Sequence, residues 1–300
     1  MFALVLHGCD NQPALLEGQP ADPYRLQLEI APDAPLAAEP AQLAYRLSFA
    51  ENGQPVRDLQ ITHERFIHTF IVARDFSSFA HIHHEDFAEI TLSDLAAATF
   101  HFPYAFPNNG AYRIVAEFTH RDRSWIKHFD FKIGEPADAK PVAIDLSRES
   151  RVDRYLATLT SSPDHPVAGH DIEFVLHLSR SAEPVTDLAL LLGAEVHVAL
   201  WRIDGEYFGH THSYTPEMAA MAVHGEHSAA MMLKLMSAEA KLNYPGPDIP
   251  VRYQFKTPGV YQLFMQCAPS GEARVFRFMV EVLPYTDGID TTVHSIVPMG

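Results

Sequence analysis

The chain has 300 residues, 38 acidic against 22 basic side chains, and a formal net charge of −16. That balance excludes a phosphate-backbone partner, since nucleic-acid binders carry a basic patch, and no apolar run reaches the roughly 18 residues of a membrane-spanning helix. A hydrophobic fraction of 47% can fill a core, 22 prolines punctuate the apolar runs, and the length favours two domains.

Residues 1–21 read as a signal remnant and spacer. Leu6-His7-Gly8-Cys9 resembles a bacterial lipobox, in which the cysteine after a small residue is lipidated and becomes the new N-terminus. The apolar stretch ahead of it is short for a signal peptide and lacks a basic flank. The expectation is a lipid anchor on Cys9, with the membrane touched only through it.

From residue 22 the pattern is that of short strands. YRLQLEI, AYRLSF, RFIHTFIVA and YRIVAEF are rich in β-branched and aromatic residues and are separated by turns of Pro, Asn, Gly and Asp. The order then returns. LAYRLSFAENGQPVRDL (43–59) aligns without a gap on IEFVLHLSRSAEPVTDL (172–188), an offset of 129 residues. At that offset His68 meets His197, Phe79 meets Phe208, His81 meets His210 and His83 meets His212, while His84 meets Ser213. The register next jumps by 20 residues, so that YAFPNNGAYRIVAEF (104–118) matches YQFKTPGVYQLFMQC (253–267).

Duplication of one domain accounts for this. The first copy spans 22–135, a linker 136–149, the second copy 150–284 with an insertion at about 214–248, and a tail 285–300. Amphipathic helical patterns are almost absent, so the fold class is all-β: two tandem Ig-like or cupredoxin-like β-sandwiches. NNGAY and TPGVY place a tyrosine at the start of a late strand, as immunoglobulin-like sandwiches do. On that strand of the second copy Tyr261, Leu263, Met265 and Cys267 share a face. Cys267 therefore reads as a small buried apolar residue rather than a nucleophile. Cys9 and Cys267 are the only two cysteines, which excludes a disulfide framework and a CxxC metal motif.

The histidines carry the chemistry. Side chains alternate across a strand, so His81 and His83 in SSFAHIHHEDF face one way. In WRIDGEYF, Asp204-Gly205 is a strong hairpin signal. With those two at the tip, residue 203 pairs with 206, His197 faces His212, and His210 is the diagonal neighbour. Opposed Cβ atoms lie about 4.5–5.5 Å apart and diagonal ones about 7–8 Å, close enough for imidazoles to meet on one ion at about 2.0–2.1 Å. The same counting about Asp75-Phe76 sets His68 opposite His83. His68, His81, His83, His197, His210 and His212 are the candidate metal ligands. His84 and Glu85 are weaker candidates for a fourth ligand, and His63 is weaker still. The competing reading is a set of hydrogen-bonded core histidines sharing a face with Phe66, Phe70 and Phe79, or with Trp201 and Phe208. Ile67, Ile71, Val196 and Val198 make the other face apolar too, so periodicity leaves open which face is the core.

The insertion adds PEMAAMAVHGEHSAAMMLKLMSAEAKL, with Met218, Met221, Met231, Met232 and Met236 beside His224 and His227. Thioethers suit Cu(I), and imidazoles suit Cu(II) and zinc. The competing reading is a short hydrophobic helix filled with methionine.

HERFIHTFIVARDFSSFAHIHHE with FPNNGAYRIVAEF, and LLGAEVHVALWRIDGEYFGHTH with PGVYQLFMQC, resemble the YtkA-like and related heavy-metal-binding extracytoplasmic proteins. In that group a histidine on one strand precedes an H-[IV]-H pair and a PGxYR strand, on Ig-like or cupredoxin-like domains. The resemblance covers both copies and implies the same six histidines as ligands. The group places proline after the pair, where this chain has His84 and Ser213. The protein expected from these signs is non-catalytic, lies in the periplasm or at the cell surface, and binds copper or alternatively zinc, in metal binding, transfer or resistance. Its expected partners are the metal ion and another envelope metal-handling protein. The alternatives are an envelope lipoprotein with a structural or interaction role and no metal, or an enzyme built on a metal held by three histidines. For the enzyme no GxSxG, HExxH or P-loop motif is present.

Overall fold

A computed structural model describes residues 3–7, 22–134, 142–215 and 241–285. The chain divides into two compact units between Val142 and Ala143. In the first, one antiparallel sheet runs in the order β1 (Leu4–His7), β2 (Tyr24–Ala31), β3 (Pro40–Phe49), β6 (Thr99–Ala105). The facing sheet runs β5 (Phe79–Ile82), β4 (Ile67–Ala73), β7 (Gly110–His120), β8 (Arg123–Ile133). A short helix, α1 (Leu92–Ala97), is capped by the Thr91 hydroxyl accepting from the Asp94 amide.

The second unit repeats this order. Its sheets are β9 (Glu149–Val152), β10 (Tyr155–Ser162), β11 (Asp171–Arg180), β16 (Asp248–Gln254), and β15 (Phe208–His212), β14 (Val196–Arg202), β17 (Gly259–Pro269), β18 (Arg274–Val282). Two short strands are added, β12 (Glu183–Pro184) on β11 and β13 (Leu188–Ala189) on β17. Both units are β-sandwiches of the immunoglobulin-like kind, as the alternation and the duplication imply.

Alternation builds each core. Tyr24, Leu26, Leu28 and Ile30 of β2 point inward while their neighbours do not. On β4, Ile67, Ile71 and Ala73 join the core of the first sandwich, whereas Phe70 and Val72 are buried outside that cluster. Val196, Val198 and Leu200 of β14 do the same in the second. The histidine face is therefore the outward face of its sheet in both copies, and the isoleucine and valine face is the core.

The two tyrosines read from NNGAY and TPGVY make matching bonds. Tyr112 donates its hydroxyl to the Asn108 carbonyl at 2.9 Å, and Tyr261 donates to that of Thr257 at 2.7 Å. Each pins the loop before a long central strand to the strand itself. Cys267 is fully buried among apolar side chains, which pushes its thiol up to about 12.

One boundary is corrected. The sequence pattern starts the first sandwich at residue 22, but Leu4–His7 pairs with β2 from Leu4↔Ile30 to His7↔Gln27. Leu4 and Leu6 pack on the core while Val5 faces away. Their alternation is that of an edge strand. Cys9, Met218, Met221, Met231, Met232, Met236, His224 and His227 lie outside the described residues.

Candidate metal centres

Each centre is made by a hairpin. β14 and β15 pair His197↔His212, Ala199↔His210 and Trp201↔Phe208, the register counted from Asp204-Gly205. The Gly205 amide donates to the Arg202 carbonyl at 2.7 Å, with Gly205 at φ +77°, and the Asp204 side chain accepts the Glu206 amide. In the first copy Thr69↔Ile82 and Val72↔Phe79 set the register, so His68 stands opposite His83 one step beyond the ladder. Here Phe76 takes the left-handed turn conformation at φ +59°.

In the first copy His68 Nδ1, His81 Nε2 and His83 Nε2 form a triangle 3.1 Å on each side. A point about 2.0–2.1 Å from all three, the usual metal–imidazole distance, then lies about 1 Å above their plane. All three side chains are buried.

The opposite ring nitrogens fix the protons. His68 Nε2 donates to the Thr62 carbonyl at 3.0 Å, and His83 Nδ1 donates to the Asp86 carboxylate at 2.9 Å. In the neutral rings, His68 Nδ1 and His83 Nε2 then both present lone pairs to each other. A hydrogen bond has no proton to place in that gap; a cation satisfies both. The donor set is all imidazole, which suits copper or zinc.

The surroundings hold the rings in place. The Thr62 carbonyl belongs to a tight turn in which Thr62 and Arg65 bond each other, with His63 at φ +46° and Glu64 at φ +66°. Positive φ at both central positions is the type I′ geometry. The second copy repeats it. Leu191 and Ala194 bond each other across Leu192 at φ +49° and Gly193 at φ +76°. His197 Nε2 then donates to the Leu191 carbonyl at 2.7 Å. In both copies the acceptor lies six residues before the histidine.

Asp86 sits behind His83. Its carboxylate accepts the His83 amide at 2.9 Å, the His83 ring, and Arg65 at 3.2 Å. Burial would raise the Asp86 carboxyl, but the hydrogen bonds from the His83 ring and amide and the charge of Arg65 hold it below the ordinary value. Burial also lowers His83, against the opposing bond and charge of Asp86. Both effects keep the ring neutral and the carboxylate charged, the state a ligating imidazole needs.

In the second copy one ring nitrogen of each of His197, His210 and His212 lies within 4.8 Å of the others. His197 Nδ1 and the Nε2 atoms of His210 and His212 are shielded from solvent, the same three atoms as in the first copy. The ring centroids of His210 and His212 are 4.3 Å apart and those of His197 and His212 4.5 Å.

The weaker candidates go elsewhere. His84 is buried, with Nδ1 accepting the His101 amide of β6 at 2.9 Å, away from the triad. Glu85 accepts the Phe66 amide at 3.0 Å. His63 sits in the turn with its ring centroid 6.3 Å from that of His68. Sequence reasoning missed Asp86, Arg65 and the Thr62 and Leu191 carbonyls. An acid three residues after His83, in HHED, was the available signal, since a one-turn helix after a strand brings positions i and i+3 together.

No curated protein sequence matches the chain significantly. Solved structures match the chain at low identity and low TM-score. The bacterial integrin-binding protein invasin is 11% identical with a TM-score of 0.24, covering 86% of this chain and 39% of its own. The Escherichia coli adhesin FdeC is 10% identical with a TM-score of 0.23, covering 88% and 65%. The Clostridium thermocellum CbhA fibronectin(III)-like modules are 10% identical with a TM-score of 0.19, covering 86% and 94%. This chain thus spans less than two-thirds of the invasin and FdeC chains. The domain of unknown function DUF8832 matches residues 19–135 and again 150–283, and the chain belongs to that family, with two copies of its domain.

Proposed function

We propose that each triad binds one Cu(II) or Zn(II) ion and that the chain is a metal-binding protein of the bacterial envelope, acting in binding and transfer rather than turnover. The observation that carries the reading is the 3.1 Å approach of His68 Nδ1 to His83 Nε2, two lone pairs facing each other. The repetition of donors and backbone acceptor in the second copy supports it. The envelope setting rests on the likeness to YtkA-like extracytoplasmic proteins; the lipobox-like Leu6–Cys9 does not add to it, because cleavage before Cys9 would remove the paired strand Leu4–His7. Copper is favoured over zinc only if Met218, Met221 and the other insertion methionines take part.

The experiment is metal analysis of tag-free protein after loading with Zn²⁺ or Cu²⁺ and desalting. Two equivalents per chain are expected, one per triad. His81→Ala with His83→Ala, or His210→Ala with His212→Ala, should each leave one. Uptake unchanged in a chain lacking all six histidines would sink the reading.

A further inference from the structure

We infer that Arg65 is a positioning residue of the first metal centre: it joins the acceptors behind His68 and His83 into one frame and so sets the gap that the ion fills. This deepens the metal-binding reading and rests on it.

The two acceptors sit on separate pieces of chain. His68 Nε2 donates to the Thr62 carbonyl at 3.0 Å, and that carbonyl belongs to the turn Thr62–Arg65 before β4. His83 Nδ1 donates to Asp86 Oδ2 at 2.9 Å, and Asp86 closes the one-turn helix His84–Asp86 after β5. Each acceptor fixes the rotation of its own ring. The 3.1 Å between His68 Nδ1 and His83 Nε2 then depends on where the turn lies relative to the helix.

Arg65 spans that seam. Its amide and carbonyl close the turn with Thr62 at 3.0 Å each. Its Nη1 donates to the Glu64 carbonyl at 3.0 Å, which braces the side chain against the turn. Its Nη2 donates to Asp86 Oδ1 at 3.2 Å, 21 residues along the chain. Asp86 Oδ2 accepts both the His83 amide and the His83 ring at 2.9 Å. One residue thus links the carbonyl behind His68 to the carboxylate behind His83. A parallel bond, from the Phe66 amide to Glu85 Oε1 at 3.0 Å, crosses the same seam.

Exposure decides where the effect of Arg65 falls. The Arg65 and Asp86 side chains are 21% and 33% exposed and stand outside the hydrophobic core. A partly exposed ion pair of this kind adds little to global stability. A group behind a ligating imidazole does more at the site, since losing one typically costs about 10–100-fold in metal affinity. Asp86 touches a ligand directly. Arg65 acts one bond further out, and the Phe66–Glu85 bond still crosses the seam without it, so its loss belongs at the low end of that range.

The test uses the full-length chain carrying His210→Ala and His212→Ala, so that zinc loads the first centre alone. Zn²⁺ affinity is read by competition with a chromophoric chelator. Arg65→Met keeps the stem but removes the charge and the donors, and should weaken binding about 10-fold; Asp86→Asn should weaken it about 10–100-fold. Arg65→Lys, which keeps a cationic donor, should recover most of the loss. Because Arg65 works through Asp86, the double variant Arg65→Met with Asp86→Asn should bind no more weakly than Asp86→Asn alone. Thermal midpoints of the metal-free chains should stay together. Affinity unchanged in Arg65→Met or in Asp86→Asn, losses that add in full in the double variant, or a thermal midpoint that falls with the affinity overturns the inference with the metal-binding reading intact. A background chain that takes up no more zinc than the chain lacking all six histidines removes both.

Discussion

Tyr112 and Tyr261 show how far single residues were legible. Their place at the start of a long strand was legible in NNGAY and TPGVY, whereas the bond each makes back to its loop came only from the structure. Tyr112→Phe and Tyr261→Phe should each cost about 0.5–1.5 kcal/mol, the net worth of a lost hydrogen bond, measured by urea unfolding. Asp130 was not legible, because its partner Arg113 is reached only across the β7–β8 pair, where Arg113 donates twice at 2.8 and 2.6 Å. Burial would raise the Asp130 carboxyl, but the Arg113 bond and charge hold it below its usual range. A depressed carboxyl binds a proton less readily in the fold than in the unfolded chain. Its contribution is therefore fully present above about pH 3.9 and lost as pH falls through the lowered value. Unfolding midpoints taken from pH 5 down to pH 2 should fall less steeply in Asp130→Asn than in the parent chain.

At the scale of elements, the hairpin register was readable because Asp204-Gly205 announces its own turn. The count from Asp75-Phe76 landed equally well, although Phe76 at φ +59° is an unusual residue for that conformation. The turn at Leu191–Ala194 was missed, since Leu-Gly is a poor type I′ sequence and its role appears only when its carbonyl meets His197. Gly193→Ala should cost about 1–2 kcal/mol, because φ +76° penalises a Cβ. It should also loosen His197, visible as weaker zinc binding at the second triad alone. β1 was missed because four alternating residues mean little without the distant partner Leu28. Leu4→Ala with Leu6→Ala should destabilise the first sandwich by about 1–3 kcal/mol, as expected for two partly buried leucines. A thermal midpoint equal to that of the parent chain would show that β1 contributes nothing.

Across the whole molecule, the duplication was the most legible feature. A constant 129-residue offset over both hairpins cannot arise from composition. Which face of the histidine sheet is the core was not legible, because β4 and β14 are apolar on both sides and only the facing sheet decides. Cys267, read from the sequence as buried, pairs with Val196 on the core face. Fully buried, and with its thiol pushed up to about 12, it should resist a disulfide reagent in native Cys9→Ser protein. It should react only as fast as the second sandwich opens, so its labelling rate in low urea reports on that copy alone. Rapid labelling of the native chain would contradict the packing described.

The pleat that sends Ile67 and Ile71 one way and His68 the other separates two kinds of selection along one strand. In a library of single substitutions scored for cellular abundance, positions 67 and 71 should be depleted and 68, 81 and 83 largely tolerated. Scored for survival under metal stress, the second set should become the intolerant one. A lineage could retune or silence either ion site step by step without passing through an unfolded protein, and two copies give it room to do so in one while keeping the other.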